Sequence, residues 1–233
     1  MNVTASLDTG GGCVPERTNR PNLVSLFIGA ARLLGEKPLI LIPAIIPSVW
    51  AFVAPLAGLV DSSAVLSLSY ANLGPAVWRL LGYLLVYIVL LTLSQGATVA
   101  LVRDAARGER VSLAGGFGEA FARLAPLLAA SLAEGVVILA VSLIHYVLGL
   151  VAAFFFWFVV QSVVIDSESI LGALRGSFRL SATHAGETFL IILATLVLSL
   201  VLGWVPILGA LLMIPVTAYS VALGTLFYMG RET

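Results

Sequence analysis

Residues 76–102 read AVWRLLGYLLVYIVLLTLSQGATVALV, with Arg79 as the one charged side chain. A helix needs about 20 predominantly apolar residues to cross the hydrocarbon core of a bilayer. This run exceeds that length, contains no proline, and ends against Arg103-Asp104. It predicts a transmembrane helix. Outward from it, further spans are expected at 38–60, 126–147, 148–165, 187–202 and 207–229. The fourth and fifth spans are short for the purpose. Two connections are tight: the third and fourth spans meet at His145–Gly149, where Gly149 permits the turn, and the fifth and sixth meet at Gly203-Trp204-Val205-Pro206.

Composition points the same way. The 233 residues are 60% hydrophobic and 10% charged, with a mean hydropathy of +1.09; soluble domains carry about 25% charged residues. A protein of this size in water has more exterior than so few polar residues can cover. The expected fold class is therefore an all-α, polytopic transmembrane bundle of about six spans. It forms one domain over 22–230 behind a flexible polar tail at 1–21. Net charge is zero, so no bulk field favours nucleic acid. Cys13 is the only cysteine, which excludes an internal disulfide framework and a multi-cysteine metal site.

Basic residues set the expected orientation. Eleven of the twelve fall on one side of the spans: Arg17, Arg20, Arg32, Lys37, Arg103, Arg107, Arg110, Arg123, Arg175, Arg179 and Arg231. Arg79 is the exception, near the outer end of the second span, where it can snorkel outward toward Asp61. The asymmetry fits an even span count, with both termini cytoplasmic in a multi-pass protein of the cell membrane.

Three segments share a plan, in which an amphipathic stretch with basic residues leads into a span. Leu23, Phe27, Ala30 and Leu34 recur at helical spacing before the first span. Phe117, Phe121 and Leu124 do so before the third, with Glu119 and Arg123 four apart on the other side. Ile170, Leu174 and Phe178 do so before the fifth, beside Arg175 and Arg179. Each predicts a short helix in the cytoplasmic interface, its apolar side toward lipid and its arginines toward headgroups.

Ser169-Ile170-Leu171-Gly172-Ala173-Leu174-Arg175-Gly176-Ser177-Phe178-Arg179-Leu180, after the acidic connector Asp166-Ser167-Glu168, resembles a segment of a broad group of prokaryotic multipass proteins. The group includes the membrane domain of glycerophosphodiester phosphodiesterases and related membrane families of unknown function. The turn Gly108-Glu109-Arg110-Val111-Ser112 is similar to theirs as well. The likeness covers residues 22 to 228 in plan and implies a six-span helical fold. The soluble phosphodiesterase domain has no counterpart in these residues, so the resemblance does not imply that activity.

An ionisable side chain inside a span is costly and marks a candidate site. Glu134 lies about 12 Å from the cytoplasmic end of its span, Gln95 about 10 Å and Gln161 about 6 Å, at 1.5 Å per residue. All three fall in the same half of the bilayer. Two readings stand side by side. One is a polar cavity or proton-linked site centred on Glu134. The other is an uncharged Glu134 hydrogen-bonded to an amide across helices, acting as packing glue. Pro43, Pro47 and Pro55 imply a bent first span whose freed carbonyls need partners. The run Phe154-Phe155-Phe156-Trp157-Phe158 reads as lipid-facing or helix-packing bulk.

No nucleophile elbow, zinc helix or phosphate loop is present. The expectation is a non-enzymatic protein without cofactor or metal, organising membrane lipids or a membrane or cytoplasmic protein partner. Its candidate contacts are Arg123, Arg175 and Arg179. The alternative is a transporter or permease subunit with a polar site at Glu134, Gln95 and Gln161. The connector Arg103 to Arg110 would then be its coupling element.

Overall fold

The computed structural model describes residues 22–56, 73–166, 169–204 and 208–232, and every regular element among them is helical. In chain order these are α1 (Leu23–Glu36), a 3-10 turn (Pro38–Leu41), α2 (Ile42–Leu56), α3 (Leu73–Ala106), α4 (Leu113–Ala122) and α5 (Leu124–Ile144), then α6 (Tyr146–Phe155), α7 (Val159–Asp166), α8 (Ile170–Thr183), α9 (Ala185–Gly203) and α10 (Leu208–Glu232). The expected tail at 1–21, the acid Asp61, and the connector residues Val205-Pro206 and Ser167-Glu168 lie outside the described residues.

Among the described residues, five helical stretches are long and apolar enough to cross a membrane: Val77–Ala106, Leu124–Ile144, Tyr146–Asp166, Ala185–Gly203 and Leu211–Arg231. A sixth is reached if α1 and Pro38–Ala54 are taken together as one bent pair, whose arms make an angle of 99°. The expected first span, 38–60, is seen as far as Leu56. The chain is an all-α bundle of membrane-spanning type.

The long helix α3 is its pillar, and its two halves differ. From Thr92 to Val102 it is buried almost without interruption, whereas Val77 to Gly82 is exposed. The bundle is therefore tight at the end that carries most of the arginines and open at the other. Outward-facing side chains on α5 (Val136, Leu139, Leu143) and α9 (Phe189, Leu196, Leu200) are large and apolar, each more than half exposed. Such surfaces are tolerated where hydrocarbon is the solvent.

Close packing at the tight end relies on small residues, as is usual between helices in lipid. A Cβ on Gly116 of α4 would stand 2.8 Å from the Leu101 side chain of α3, and one on Gly96 of α3 would stand 2.8 Å from Leu127 of α5. Polar links add to this. Arg103 grips Glu119 with two parallel hydrogen bonds of 2.7 and 2.6 Å, the strong bidentate arrangement. Arg103 foremost, with Arg123 and Arg107 adding their charge, holds the Glu119 carboxyl below its ordinary value of 4.5 against the opposing effect of burial. Arg107 and Arg110 lie on either side of Gly108 after α3; Gly108 has a φ of +73°, a left-handed conformation that glycine adopts without strain.

Two expectations are corrected here. The apolar stripe of α1 faces the protein and not lipid: Leu26 and Ala30 are buried, and Leu23, Phe27 and Leu34 pack on a cluster that includes Leu223, Phe227 and Tyr228 of α10. Likewise Phe117 of α4 packs against Leu93, Ala97 and Ala120 while Phe121 stays 59% exposed. An amphipathic pattern reports that one side is apolar; it does not say whether lipid or another helix covers it. The second correction is the hairpin between α5 and α6. His145 alone makes the turn, in an extended conformation, and its Nδ1 accepts a hydrogen bond from the Val147 amide. Gly149 sits inside α6, where a Cβ would collide with the Ser142 hydroxyl at 1.8 Å. Its role is close helix approach and not the turn.

Candidate functional site

Span four is interrupted. Residues Phe156–Phe158 form a turn between α6 and α7, and such a break frees backbone groups that lipid cannot satisfy. The buried Ser177 of α8 takes them up: its hydroxyl donates to the Phe155 carbonyl at 2.8 Å and accepts from the Phe158 amide at 3.1 Å. Ser181, one turn on, also donates to the Phe155 carbonyl, at 3.3 Å. The inward side of α8 thus serves the broken span through two buried hydroxyls, Ser177 and Ser181. Of the aromatic run expected to be lipid-facing or helix-packing bulk, Phe158 packs between helices: it is fully buried and stacks on Phe227 with ring centroids 5.5 Å apart.

Span one is treated in the same way. Pro47 has no N–H to give the carbonyl four residues earlier, that of Pro43. The buried Ser94 hydroxyl of α3 donates to that carbonyl at 2.6 Å.

Beside the break lies a chamber of about 310 Å³. Gln95 of α3, Glu134 of α5 and Gln161 of α7 all line it. The three polar residues picked out by depth alone are therefore brought to one place. Hydroxyls join them from two further helices: Thr195 and Ser199 of α9, Thr217 and Ser220 of α10. Trp157, in the break itself, forms part of the wall. Pro215, inside α10, is two residues from Thr217. Two of the lining helices are thus interrupted or carry an interior proline next to the chamber.

The hydrogen bonding inside is incomplete. Thr195 and Thr217 turn their hydroxyls back onto their own helices, at 2.9 and 2.8 Å. The Gln161 Oε1 atom is buried without a partner, a costly condition for an amide. Its Nε2 packs close to Gly224, where a Cβ would be 3.1 Å away. No hydrogen bond or ion pair joins Glu134 to another described residue. The packing-glue arrangement, a bond from Glu134 to an amide, is therefore not formed. Among the described residues of the lining, Glu134 is the one ionisable group.

The three candidate arginines are placed differently from one another. Arg123 sits at the junction of α4 and α5 and turns inward, donating to the carbonyls of Val163 and Val164 at 2.9 and 2.8 Å and lying 3.3 Å from Glu119. It closes the C-terminal end of α7 and ties three helices together, so its N–H groups are used within the fold. Arg175 and Arg179 are exposed on α8, on the same side as the exposed Leu171 and Phe178. Arg79 is exposed near the opposite end of α3. Sequence reasoning missed Ser94, Ser177 and Ser181. The signal for Ser94 was available, since each proline in a span leaves a countable carbonyl; the break in span four has no proline to announce it.

Among the described residues, no group of three histidine, cysteine or acidic side chains is placed to hold a metal ion. No family model, no curated protein and no solved structure matches the chain.

Proposed function

We infer that this membrane protein binds a small polar solute in the chamber, in the manner of a transporter or permease subunit. The observation that carries the reading is the convergence of Gln95, Glu134 and Gln161 with four hydroxyls in one cavity inside a bundle of apolar helices. Its volume is at the lower end of those that hold small ligands. The unspent groups, the Glu134 carboxyl and the Gln161 amide oxygen, favour a solute that carries hydrogen-bond donors. Interrupted helices beside a site within the bundle are a recurring device for moving such solutes. A chamber with one ionisable group and no nucleophile–base pair reads as a binding site and not as a catalytic one.

A second reading is supported by α8, whose exposed Leu171 and Phe178 lie beside Arg175 and Arg179. That surface suits lipids of the arginine-bearing leaflet, cytoplasmic by the charge rule, or a partner docked there. It is compatible with a solute site and does not compete with it.

A thermal-shift screen of the purified protein against small polar solutes tests the first reading. A hit should raise the melting temperature of the wild type and not of Glu134→Leu. Glu134→Gln, which preserves shape and hydrogen bonding, should fold normally and keep part of the response. Hits that stabilise wild type and Glu134→Leu equally would place binding elsewhere.

A further inference from the structure

A second cavity, of about 380 Å³, lies where the arginine-bearing ends of α7, α8, α9 and α10 meet. Asp166, Arg179, Thr183, His184 and Arg231 line it, with Gly176 in its wall. Arg231 is the built part. Its side chain is only 4% exposed, its guanidinium lies over the Phe227 ring at 5.4 Å, and its Nε has no hydrogen-bond partner. The buried Nδ1 of His184 has none either. Unpaired buried nitrogens of this kind are rare in a finished core and call for an explanation.

The chemistry of a group that would pair them follows from the charges that face the cavity. Arg179 and Arg231 are opposed in the lining by one carboxylate, Asp166, which already accepts from the Tyr228 hydroxyl; Glu187, outside the lining, lies 2.9 Å from Arg231. The two arginines outnumber the one lining carboxylate, an excess of a single positive charge that suits a monoanion better than a dianion. The site also lies beside His184, just before the N-terminus of α9, an end that attracts anions. A phosphodiester carries one charge and offers oxygens that arginine and imidazole recognise.

We propose that this cavity is a phosphodiester-binding site, recognised by Arg231, Arg179 and His184 and occupied by the headgroup of a membrane phospholipid. The apolar Leu171 and Phe178 on the exposed side of α8 provide the adjacent surface for acyl chains. Arg175 is on the same helix but does not line the cavity, so a built site and a diffuse basic surface make different predictions.

The test uses the full chain purified in mild detergent. Native mass spectrometry follows retention of phosphatidylglycerol, and phosphorus NMR follows binding of diethyl phosphate, a soluble phosphodiester. Arg179→Gln should reduce affinity about tenfold, the usual scale for a hydrogen bond to a charged group. Arg175→Gln should leave it unchanged. Arg231→Lys keeps the charge but removes Nε and the planar fork, and should also weaken binding. Arg179→Gln alters an exposed side chain, so folding does not obscure its result. If diethyl phosphate binds with this dependence and the lipid is not retained, the phosphodiester site stands and its ligand is soluble. Equal losses for Arg175→Gln and Arg179→Gln, or no loss for either, would overturn the proposal.

Discussion

A serine hydroxyl is a small group, yet in this protein two of them decide whether bent spans are tolerable. Ser94 satisfies the carbonyl that Pro47 leaves open, at 2.6 Å. Ser94→Ala should cost roughly 1 kcal/mol, as single polar contacts between membrane helices do. In a Pro47→Ala background the backbone amide returns and that cost should shrink toward zero; a double-mutant cycle on the unfolding free energy reads the difference. Additive effects would mean that Ser94 acts on something other than that carbonyl. Ser177 has a larger task, since it both donates to and accepts from the break in span four. Ser177→Ala should destabilise by about 1 to 3 kcal/mol, more than Ser181→Ala, whose single bond to Phe155 is longer. Glu134, Gln95 and Gln161 were legible in the sequence because a polar group in an apolar run has to be sheltered from lipid by other helices. The serines were not, because serine is common in membrane helices and its partner is a carbonyl whose release cannot be seen in residue types alone.

Elements carry the next set of constraints. The amphipathic helices α1, α4 and α8 were visible as patterns, but what their apolar sides touch was decided by neighbours. In α4 the side that matters is made of Gly116 and Ala120, too small to weigh in a hydrophobic pattern and yet the residues that let α3 approach. The Glu119 pairing with Arg123, four residues on, was legible at 3.3 Å; the stronger grip by Arg103, sixteen residues away, was not. This grip has a pH signature. Because Glu119 is held below its ordinary value of 4.5, its contribution is present above that value and is lost as pH falls further, through the lower folded-state value. Acidification below pH 4.5 should therefore loosen α4 from α3, seen as faster hydrogen exchange over 113–122. Glu119→Gln should remove that pH dependence while leaving a weaker hydrogen bond. Faster exchange beginning well above pH 4.5 would point to another group.

Across the whole molecule, one end is a packed core crossed by ion pairs and the other is a spread of apolar helices. That contrast was readable in outline from the charge asymmetry and the hydrophobic runs. A polar cavity at Glu134 was one of two readings, but its walls were not legible, because they need α3, α5, α7, α9 and α10 to be placed together, and no local pattern specifies that arrangement. The central claim is that this space is polar and open to solutes although apolar surface surrounds it. Cysteine accessibility tests it most directly, in membranes, on a background lacking Cys13. Ser220→Cys lines the chamber and Leu139→Cys faces outward from α5, 62% exposed. A small hydrophilic methanethiosulfonate reagent should modify the Ser220→Cys protein and leave the Leu139→Cys protein unmodified, since the latter lies in lipid. The account is contradicted if Ser220→Cys is inert, which would make the chamber a sealed packing void, or if Leu139→Cys reacts as fast, which would place the outward surface in water.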